Sequence, residues 1–205
     1  MRYSMSLMPL PSSPPLAERK EILRADIYQR LSHLSEKDRE AESRSVVLRL
    51  LEIIREDIII CGYIPLNTEA NIRPFLEEIL KRGQPLYLPT FDGHSVFLRK
   101  TEDLHHLTVS QFHIPEPPKD GVLLDPNVPV IAIIPGRAFD ARGARCGRGN
   151  GAYDRWIAER RKTSPESLYY GAALECQIVG EVPMAEHDQF LDGIVTARGL
   201  LEKRM

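Results

Sequence analysis

The spacing of apolar residues predicts two helices at the start of the ordered chain. Between residues 16 and 34 the apolar positions are three, four or seven residues apart, which places them on one face of a helix. Ser35 follows, with an acidic residue three positions later, and predicts the N-cap of a second helix. The two apolar faces consist of Leu16, Leu23, Ile27, Leu31 and Leu34 in the first helix, and Val47, Leu50, Leu51 and Ile54 in the second.

The next segment changes from helical to extended patterning. Residues 58–65 form a short, continuous run rich in β-branched side chains, which is typical of a strand buried on both faces of a parallel sheet. Apolar residues between 72 and 80 return to helical spacing, and Gly83 predicts the end of that helix. Residues 85–89 predict a second strand, and a turn at residues 92–93 (Asp-Gly) predicts a hairpin to the following extended segment.

The second half of the chain continues this alternation. Residues 100–128 are polar and rich in proline and predict a long connection, a kind of segment that is often functional. Residues 128–136 predict the third and most apolar strand, residues 151–161 a helix, and residues 167–174 and 193–201 the fourth and fifth strands. Strands that alternate with helices indicate an α/β fold: three layers, a mostly parallel or mixed sheet with helices on both faces, and a Rossmann-like architecture.

Length and composition indicate one domain. The chain has 205 residues, enough for a sizeable core. We expect a disordered tail over residues 1–15, where prolines at positions 9, 11, 14 and 15 interrupt any signal-peptide core, and a single domain over residues 16–205. No apolar run approaches the roughly 18 residues that a membrane span needs. The sequence therefore predicts a cytoplasmic protein without a membrane partner.

Charge and cysteine content exclude further classes. The net charge is −2 and the pI is about 6.3, so no overall basic field favours nucleic acid. The three cysteines are far apart, which fits a reducing compartment and gives neither a disulfide framework nor a zinc spacing. Cys146 lies in an arginine- and glycine-rich segment and could be a nucleophile, although a catalytic thiol needs a placed base and an ordinary loop position is the simpler interpretation.

That arginine- and glycine-rich segment carries the strongest chemical signal. The stretch AFDARGARCGRGNGAYDRW, residues 138–156, lies between the third strand and a helix, where open α/β sheets bind their ligands. Its four glycines allow close backbone approach, and the amides of the following helix start attract anions. Residues 136–162 hold seven arginines and one lysine against three acidic residues, a local balance of +5.

These features together predict a polyphosphate cradle, and the alternative is a tight turn with solvated arginines. The G-x-G-x-G spacing differs from the common phosphate loop, which continues with lysine and a hydroxyl residue, and from the dinucleotide fingerprint.

The same segment resembles the signature of the 5-formyltetrahydrofolate cyclo-ligase family, also called methenyltetrahydrofolate synthetases. That signature reads approximately Pro-Gly-x-x-Phe-Asp, then x-x-Gly-x-Arg-Leu-Gly, then a basic or aromatic residue and Gly-x-Gly-Tyr-Tyr-Asp. The matching residues are Pro135, Gly136, Phe139, Asp140, Gly143, Arg145, Gly147, Gly149, Gly151, Tyr153 and Asp154. The match fixes residue types over some twenty positions and is therefore specific.

The resemblance extends over most of the chain. Lys20 and Arg24 resemble the family's N-terminal Lys-x-x-x-Arg element, which touches ATP phosphates; without the family they would equally be a solvated helix face. Glu69 corresponds to a glutamate that holds folate, or is a helix N-terminal charge. Glu116 lies in a segment similar to the family's Ile-x-Glu-Pro element. Asp188 lies in a segment that resembles the source of a second magnesium-associated carboxylate.

The resemblance implies a reaction and a set of site residues. The reaction is the cyclisation of 5-formyltetrahydrofolate to 5,10-methenyltetrahydrofolate, with ATP as co-substrate and Mg²⁺ as cofactor, and no protein partner is expected. Arg148 is assigned to catalysis, and Asp154 and Asp188 to the metal. The residues assigned to ATP are Lys20, Arg24, Arg145, Gly147, Arg148, Gly149, Asn150, Gly151 and Tyr153. Those assigned to folate are Glu69, Glu116, Arg148, Gly149, Asn150, Gly151 and Ala152.

The sequence departs from the family signature at four positions. Cys146 replaces a leucine, Ala152 replaces the first tyrosine of Tyr-Tyr-Asp, Asn150 stands where glycine or lysine is common, and Arg137 stands where a small or apolar residue is usual. Ala152 favours a second hypothesis, a nucleotide-binding relative that has lost folate chemistry and has a regulatory function. A third hypothesis is a sugar-phosphate isomerase or acyl-transferring enzyme of similar architecture, which would need a placed acid-base or nucleophilic carboxylate.

Overall fold

The structure is a computed structural model that describes residues 14–110 and 113–202. The predicted tail at residues 1–15 lies outside the described residues except for Pro14 and Pro15. The helices are α1 (Leu16–His33), α2 (Glu36–Ile53), α3 (Arg73–Lys81) and α4 (Ala152–Thr163), with a 3₁₀ turn at Glu175–Gln177. In the described part of the chain, no helix is both long and apolar enough to cross a membrane.

The predicted helix boundaries have the expected local causes. The Ser35 hydroxyl accepts a hydrogen bond from the Asp38 amide at 3.1 Å, which satisfies one of the free amides at the start of α2. Gly83 follows the last residues of α3 with a φ of 71°, a left-handed conformation that glycine adopts without a Cβ penalty. Both predictions are confirmed.

Eleven strands are present in the described residues, and seven of them form one sheet. The strands are β1 (Ile59–Cys61), β2 (Leu86–Phe91), β3 (Val96–Thr101), β4 (Thr108–Val109), β5 (Pro115–Glu116), β6 (Val130–Ile134), β7 (Ala138–Phe139), β8 (Arg145–Cys146), β9 (Leu168–Ala172), β10 (Gly193–Thr196) and β11 (Gly199–Glu202). The large sheet has the order β11-β10-β9-β6-β1-β2-β3. Its inner pairs are parallel, whereas β11 and β3 add antiparallel edges.

Two apolar cores, one on each face of the sheet, confirm the three-layer prediction. Alternate residues of β6 point to opposite faces: Ile131 and Ile133 pack with α1, α2 and α3, and Ala132 and Ile134 pack on the face that α4 covers. The continuous apolar sequence of β6 therefore follows from burial on both sides. The fold is α/β with a mostly parallel, mixed sheet, as predicted.

Three predicted segments differ in detail. The first strand was predicted over residues 58–65, but only Ile59–Cys61 pairs with neighbouring strands, β2 on one side and β6 on the other. The predicted fifth strand, residues 193–201, is a hairpin, because the chain reverses before Gly199, whose φ is 147°. The polar connection at residues 100–128 is not structureless, since β4 and β5 pair within it.

A hairpin formed by β7 and β8 joins the large sheet to the glycine-rich loop that precedes α4. The buried carboxylate of Asp140 closes its turn by accepting hydrogen bonds from the amides of Arg142 at 2.9 Å and Ala144 at 3.2 Å. The Gly143 carbonyl accepts a hydrogen bond from the Leu191 amide at 2.7 Å. The hairpin is thus fixed both internally and to the segment before β10.

Gly143→Ala tests this arrangement. Gly143 has a φ of 84°, and a Cβ at this position would collide with the Leu191 carbonyl oxygen, which is backbone and cannot move aside easily. We expect the free energy of unfolding to fall by at least about 2 kcal/mol, because left-handed strain and a steric clash add. Gly180→Ala is the control, since Gly180 has no neighbour within 4 Å of a Cβ. Urea denaturation measures both, and equal stability of the two variants would contradict the prediction.

Candidate active site

The main cavity lies where three parallel strands end. It has a volume of about 550 Å³, and its walls include segments that follow β1, β2 and β6 together with one face of α1. The sheet order changes direction between β6 and β1, because β2 continues on the other side of β1. In open α/β sheets such a switch point leaves a crevice at the carboxyl ends of the strands, where ligands bind.

The glycine-rich loop between β8 and α4 forms one wall of this cavity. Gly149 and Gly151 have φ values of 107° and 65°, and Gly151 is the N-cap of α4. The left-handed conformation turns the chain sharply into the helix and brings bare backbone to the cavity. The first amides of α4 have no intrahelical partner and carry the positive end of the helix dipole, so this wall favours an anion.

Four cations and four carboxylates of the cavity wall are paired one to one. The pairs are Lys20 with Asp188, Arg24 with Glu21, Arg145 with Asp154, and Arg148 with Glu69. The formal charge of these eight side chains is therefore zero in the absence of ligand. Any charged ligand that takes one member of a pair leaves the other member in need of a new partner.

The pair of Arg145 and Asp154 is the most buried of the four. Arg145 donates to the Asp154 carboxylate at 2.8 Å and to the Pro135 carbonyl at 3.1 Å. Asp154 also accepts from the Gln189 amide at 3.2 Å. The guanidinium lies 5.7 Å from the centre of the Tyr153 ring, which favours the cation further. Arg145 thus ties the end of β6 to the first turn of α4.

The pair of Lys20 and Asp188 links α1 to the segment before β10. Burial acts to raise the pKa of Asp188, but the hydrogen bond from the Ala185 amide and the bond from Lys20 outweigh it, so the pKa is lowered. One turn later on α1, Arg24 donates to the Gly147 carbonyl at 2.9 Å. These contacts hold α1 against the glycine-rich loop.

The pair of Arg148 and Glu69 is the loosest. The closest nitrogen and oxygen are 3.7 Å apart, and the Arg148 side chain is 45% exposed. Glu69 is only 6% exposed and accepts a hydrogen bond from the Leu66 amide at 3.0 Å. Burial raises the pKa of the Glu69 carboxyl, although the Leu66 amide and the charges of Arg148 and Arg137 act to lower it.

An aromatic group lines the cavity beside these charges. The rings of Phe91 and Tyr153 meet edge to face with centres 6.1 Å apart, and Tyr63 also contributes to the wall. Burial raises the pKa of both tyrosines, and neither hydroxyl has a hydrogen-bond partner among the described residues. The cavity wall therefore places aromatic rings next to its ionic groups, while the two unpartnered hydroxyls are buried behind it.

Most of the residues predicted for the site lie around this one cavity. They are Lys20, Arg24, Glu69, Arg145, Gly147, Arg148, Gly149, Asn150, Gly151, Tyr153, Asp154 and Asp188. Their assignment to ATP, folate or metal stays a prediction. Among the described residues no group of three or more His, Cys, Asp or Glu side chains could hold a metal ion by itself.

Two predicted residues lie outside the cavity wall. Ala152 is 2% exposed, and its side chain packs in the core between α4 and the sheet. Glu116 is buried, and one of its oxygens accepts a bond from the Phe91 amide at 3.4 Å while the other has no partner among the described residues. Any contact of these two side chains with folate stays a prediction, and Glu116 supports the cavity through the backbone of Phe91.

Cys146 does not have the surroundings of a nucleophile. Its side chain is buried, it is not part of the cavity wall, and burial raises the pKa of its thiol. A buried thiol with a raised pKa stays protonated at neutral pH and reacts poorly. The interpretation of Cys146 as an ordinary packed position in β8 is therefore favoured.

Sequence reasoning missed the apolar part of the site. Tyr63, Ile64, Leu66, Phe91 and Ile114 line the cavity, and none of them is among the predicted site residues. The available signal was position, because Tyr63 and Ile64 follow β1 and Phe91 ends β2. Residues that immediately follow parallel strands reach the ligand edge of the sheet.

The fold and this cavity define an α/β protein with a large cavity at the switch point of a mostly parallel sheet. Residues 16–197 match the family model described as the 5-formyltetrahydrofolate cyclo-ligase family. The chain therefore belongs to the 5-formyltetrahydrofolate cyclo-ligase family, as the resemblance of the glycine-rich segment indicated.

Individual relatives agree with this membership. A Caenorhabditis elegans protein described as a probable 5-formyltetrahydrofolate cyclo-ligase is 26% identical over 192 residues, which cover 88% of this chain and 93% of the relative. The 5-formyltetrahydrofolate cyclo-ligase of Escherichia coli K12 is 30% identical over 141 residues, 65% of this chain and 75% of its own. The Aquifex aeolicus 5,10-methenyltetrahydrofolate synthetase structure is similar with a TM-score of 0.75, at 28% identity and 93% coverage of both chains.

Glu69→Gln tests the electrostatics of the cavity. A raised pKa in the folded state means that the ionised carboxylate destabilises the fold, and this effect disappears as pH falls towards the ordinary value of 4.5. Glutamine keeps an acceptor for the Leu66 amide without the charge. We expect the variant to be more stable than the wild type near about pH 8 and the difference to shrink as pH falls, measured by urea denaturation.

Glu78→Gln is the matched control, because the pKa of Glu78 is shifted in the opposite direction from that of Glu69. The pKa of the partly exposed Glu78 is lowered, chiefly by the hydrogen bond from Arg82, so its ionised form stabilises the fold above that pKa. Its replacement should therefore have the opposite effect near about pH 8, again fading as pH falls. The prediction is wrong if Glu69→Gln is less stable than the wild type at high pH, or if the difference in the free energy of unfolding does not vary with pH. Either result would show that the ionised Glu69 carboxylate does not destabilise the fold.

Proposed function

We propose that this protein catalyses the ATP- and Mg²⁺-dependent cyclisation of 5-formyltetrahydrofolate to 5,10-methenyltetrahydrofolate, with release of ADP and phosphate. The observation that carries the proposal is the composition of one cavity in a member of this family. It combines a glycine-rich helix start with ion-paired cations, and both suit a polyphosphate. It also has an aromatic wall, which suits a flat ring system.

The proposed reaction has two steps. The formyl oxygen on nitrogen 5 attacks the terminal phosphorus of ATP, and ADP leaves. Nitrogen 10 then attacks the activated formyl carbon and loses its proton, and the carbon–oxygen bond breaks to release phosphate. Such a phosphoryl transfer needs positioning and charge neutralisation more than covalent help from the protein.

Lys20, Arg24 and Arg148 are the cations that we assign to the phosphate groups. Arg148 stands between two glycines of the loop, is the least buried cation of the four pairs, and has the longest ion-pair distance, so it can turn towards a ligand at little cost. Arg145 also lines the cavity, but its bonds to Asp154 and Pro135 are short and buried. We therefore assign Arg145 to holding the loop in place while its positive charge still faces the phosphates.

The one-to-one pairing of the cavity offers a reason for magnesium dependence. When phosphate oxygens take over Lys20, the carboxylate of Asp188 loses its partner and needs another cation. Asp154 and Asp188 would then hold Mg²⁺ together with phosphate oxygens and water, which suits a metal that keeps several waters and uses few carboxylates. When bound, Mg²⁺ supplies charge neutralisation for the phosphoryl group.

The aromatic wall is the part that we assign to folate. Phe91 and Tyr153 contribute aromatic rings to the wall, and such rings pack favourably against the flat ring system of a pterin. Glu69 lies where the parts of the cavity that we assign to phosphate and to folate meet. It pairs with Arg148, and the pKa of its carboxyl is raised. Capture of Arg148 by phosphate would release the Glu69 carboxylate for folate, so the two substrates would favour each other's binding.

The regulatory alternative gains no support from Ala152. Its side chain packs in the core and lies outside the cavity wall, so the absence of a ring at this position removes no lining group. For location we keep the cytoplasm as a proposal, which the three free cysteines support.

An absorbance assay tests the reaction directly. We expect the near-ultraviolet absorbance of methenyl folate to appear when 5-formyltetrahydrofolate, ATP and Mg²⁺ are all present, with one ADP formed per methenyl product. Omission of ATP or addition of a magnesium chelator should each abolish it. Nucleotide binding without turnover of the folate would remove the enzyme proposal.

Arg148→Ala tests the catalytic assignment. We expect turnover to fall by at least about tenfold, because a lost charge contact to a transition state costs a few kcal/mol. The free energy of unfolding should change by less than about 0.5 kcal/mol, since the side chain is half exposed. Arg30→Ala is the control: Arg30 is also 45% exposed and ion-paired, but lies outside the cavity wall. Equal turnover in the two variants would show that Arg148 has no catalytic function.

A further inference from the structure

Arg155 connects two walls of the main cavity without lining it. The residue lies in the first turn of α4, and its side chain is exposed. One nitrogen, Nη2, donates to the Asn150 carbonyl at 2.9 Å and also to the His94 carbonyl. Asn150 belongs to the cavity lining, as does Gly93 beside His94, whereas Arg155 does not. The side chain therefore bridges the glycine-rich loop and the turn between β2 and β3.

The turn at residues 92–95 is fixed internally but has few polar ties to the rest of the chain. The Asp92 carboxylate accepts hydrogen bonds from the amides of His94 at 2.9 Å and Ser95 at 2.7 Å. Among residues 14–110 and 113–202, the bond from Arg155 is the only hydrogen bond that joins this turn to a segment outside its hairpin. Arg155 is therefore the polar contact that fixes where this preformed turn lies.

The glycine-rich loop, by contrast, has anchors of its own. Arg24 donates to the Gly147 carbonyl at 2.9 Å, and the buried pair of Arg145 and Asp154 joins the strand before the loop to the helix after it. Loss of the Arg155 side chain should thus affect the turn after β2 more than the loop. The two walls of the cavity would respond unequally.

The turn after β2 also controls the aromatic wall. Phe91 ends β2 immediately before the turn, and its ring meets the Tyr153 ring edge to face with centres 6.1 Å apart. Tyr153 lies on α4 two residues before Arg155. The ring contact and the Arg155 bridge therefore join the same two elements. A guanidinium holds its donors in a fixed plane, which suits it to keeping two carbonyls at a set separation.

We propose that Arg155 is a positioning residue for the folate substrate: it ties the turn after β2 to α4 and so keeps the Phe91 ring in place beside Tyr153. This inference rests on the proposed function, which assigns the aromatic wall to the pterin. Arg155 acts through Phe91, because its own side chain lies outside the cavity lining. The phosphate part of the cavity depends on it less, since the loop is held independently.

Steady-state kinetics of Arg155→Met test the positioning function. Methionine keeps much of the side-chain length and removes the donors. We expect the KM for 5-formyltetrahydrofolate to rise by at least about threefold, as loss of one hydrogen bond allows. The KM for ATP and the kcat should stay within about twofold, because only binding to one wall is weakened. Arg155→Lys retains N–H donors and should recover most of the folate KM.

A double-variant cycle with Phe91→Leu tests whether the effect passes through the ring. If Arg155 acts by holding Phe91, Arg155→Met should raise the folate KM by less than about 1.5-fold in a Phe91→Leu background. Full additivity of the two substitutions would contradict positioning through Phe91. Lys162→Met is the matched control, since Lys162 is an exposed cation of α4 outside the cavity wall and its replacement should leave every constant unchanged.

Hydrogen exchange of the ligand-free protein measures the tie without turnover. The amides of residues 92–95 should exchange at least about threefold faster in Arg155→Met than in the wild type or Lys162→Met, because the end of the hairpin opens more often. Unchanged exchange, or faster exchange with an unchanged folate KM, would overturn the inference and leave the proposed function standing. Absence of folate turnover in the wild type would refute both.

Discussion

The buried ion pair of Arg145 and Asp154 is the interaction on which the architecture of the site depends. It joins the hairpin strand β8 to the first turn of α4, and the same guanidinium bonds the carbonyl at the end of β6. The glycine-rich loop spans the two ends of this connection, so its path is defined although its glycines are intrinsically free to move. Removal of one partner from a buried pair leaves an uncompensated charge, which typically costs about 3–5 kcal/mol. The contact therefore supports the cavity wall formed by the glycine-rich loop as well as the fold.

Periodicity predicted the layers of the fold because burial controls them directly. The continuous apolar run of β6 has one cause, a core on each face, and that cause leaves a readable pattern. The hairpin of β10 and β11 leaves no such pattern, because both of its strands are apolar and only Gly199 marks the reversal of the chain. The pairing of β4 with β5 was likewise hidden in a polar segment, because two-residue strands leave no period to detect.

The arginines show where sequence reasoning about the site reaches its limit. The excess of cations after residue 136 indicated an anion site, yet Arg142 bonds Asp140, and Arg160 donates to the carbonyls of Asp125 and Val128. These side chains hold the fold together and leave only part of the charge for a ligand. Composition counts every arginine alike, and only the three-dimensional partners separate the structural ones from those at the cavity.

The segment before β10 connects to the site through contacts that are distant in sequence. Asp188 pairs with Lys20 across 168 positions, and Gln189 and Leu191 bond to the loop region 143–154 through their backbone amides. During synthesis the N-terminal helix leaves the ribosome long before its carboxylate partner exists. The core can collapse around the early helices and strands, but the cavity is completed only when nearly the whole chain has emerged. A chain truncated before this segment would thus retain most of its core residues and lack a finished site.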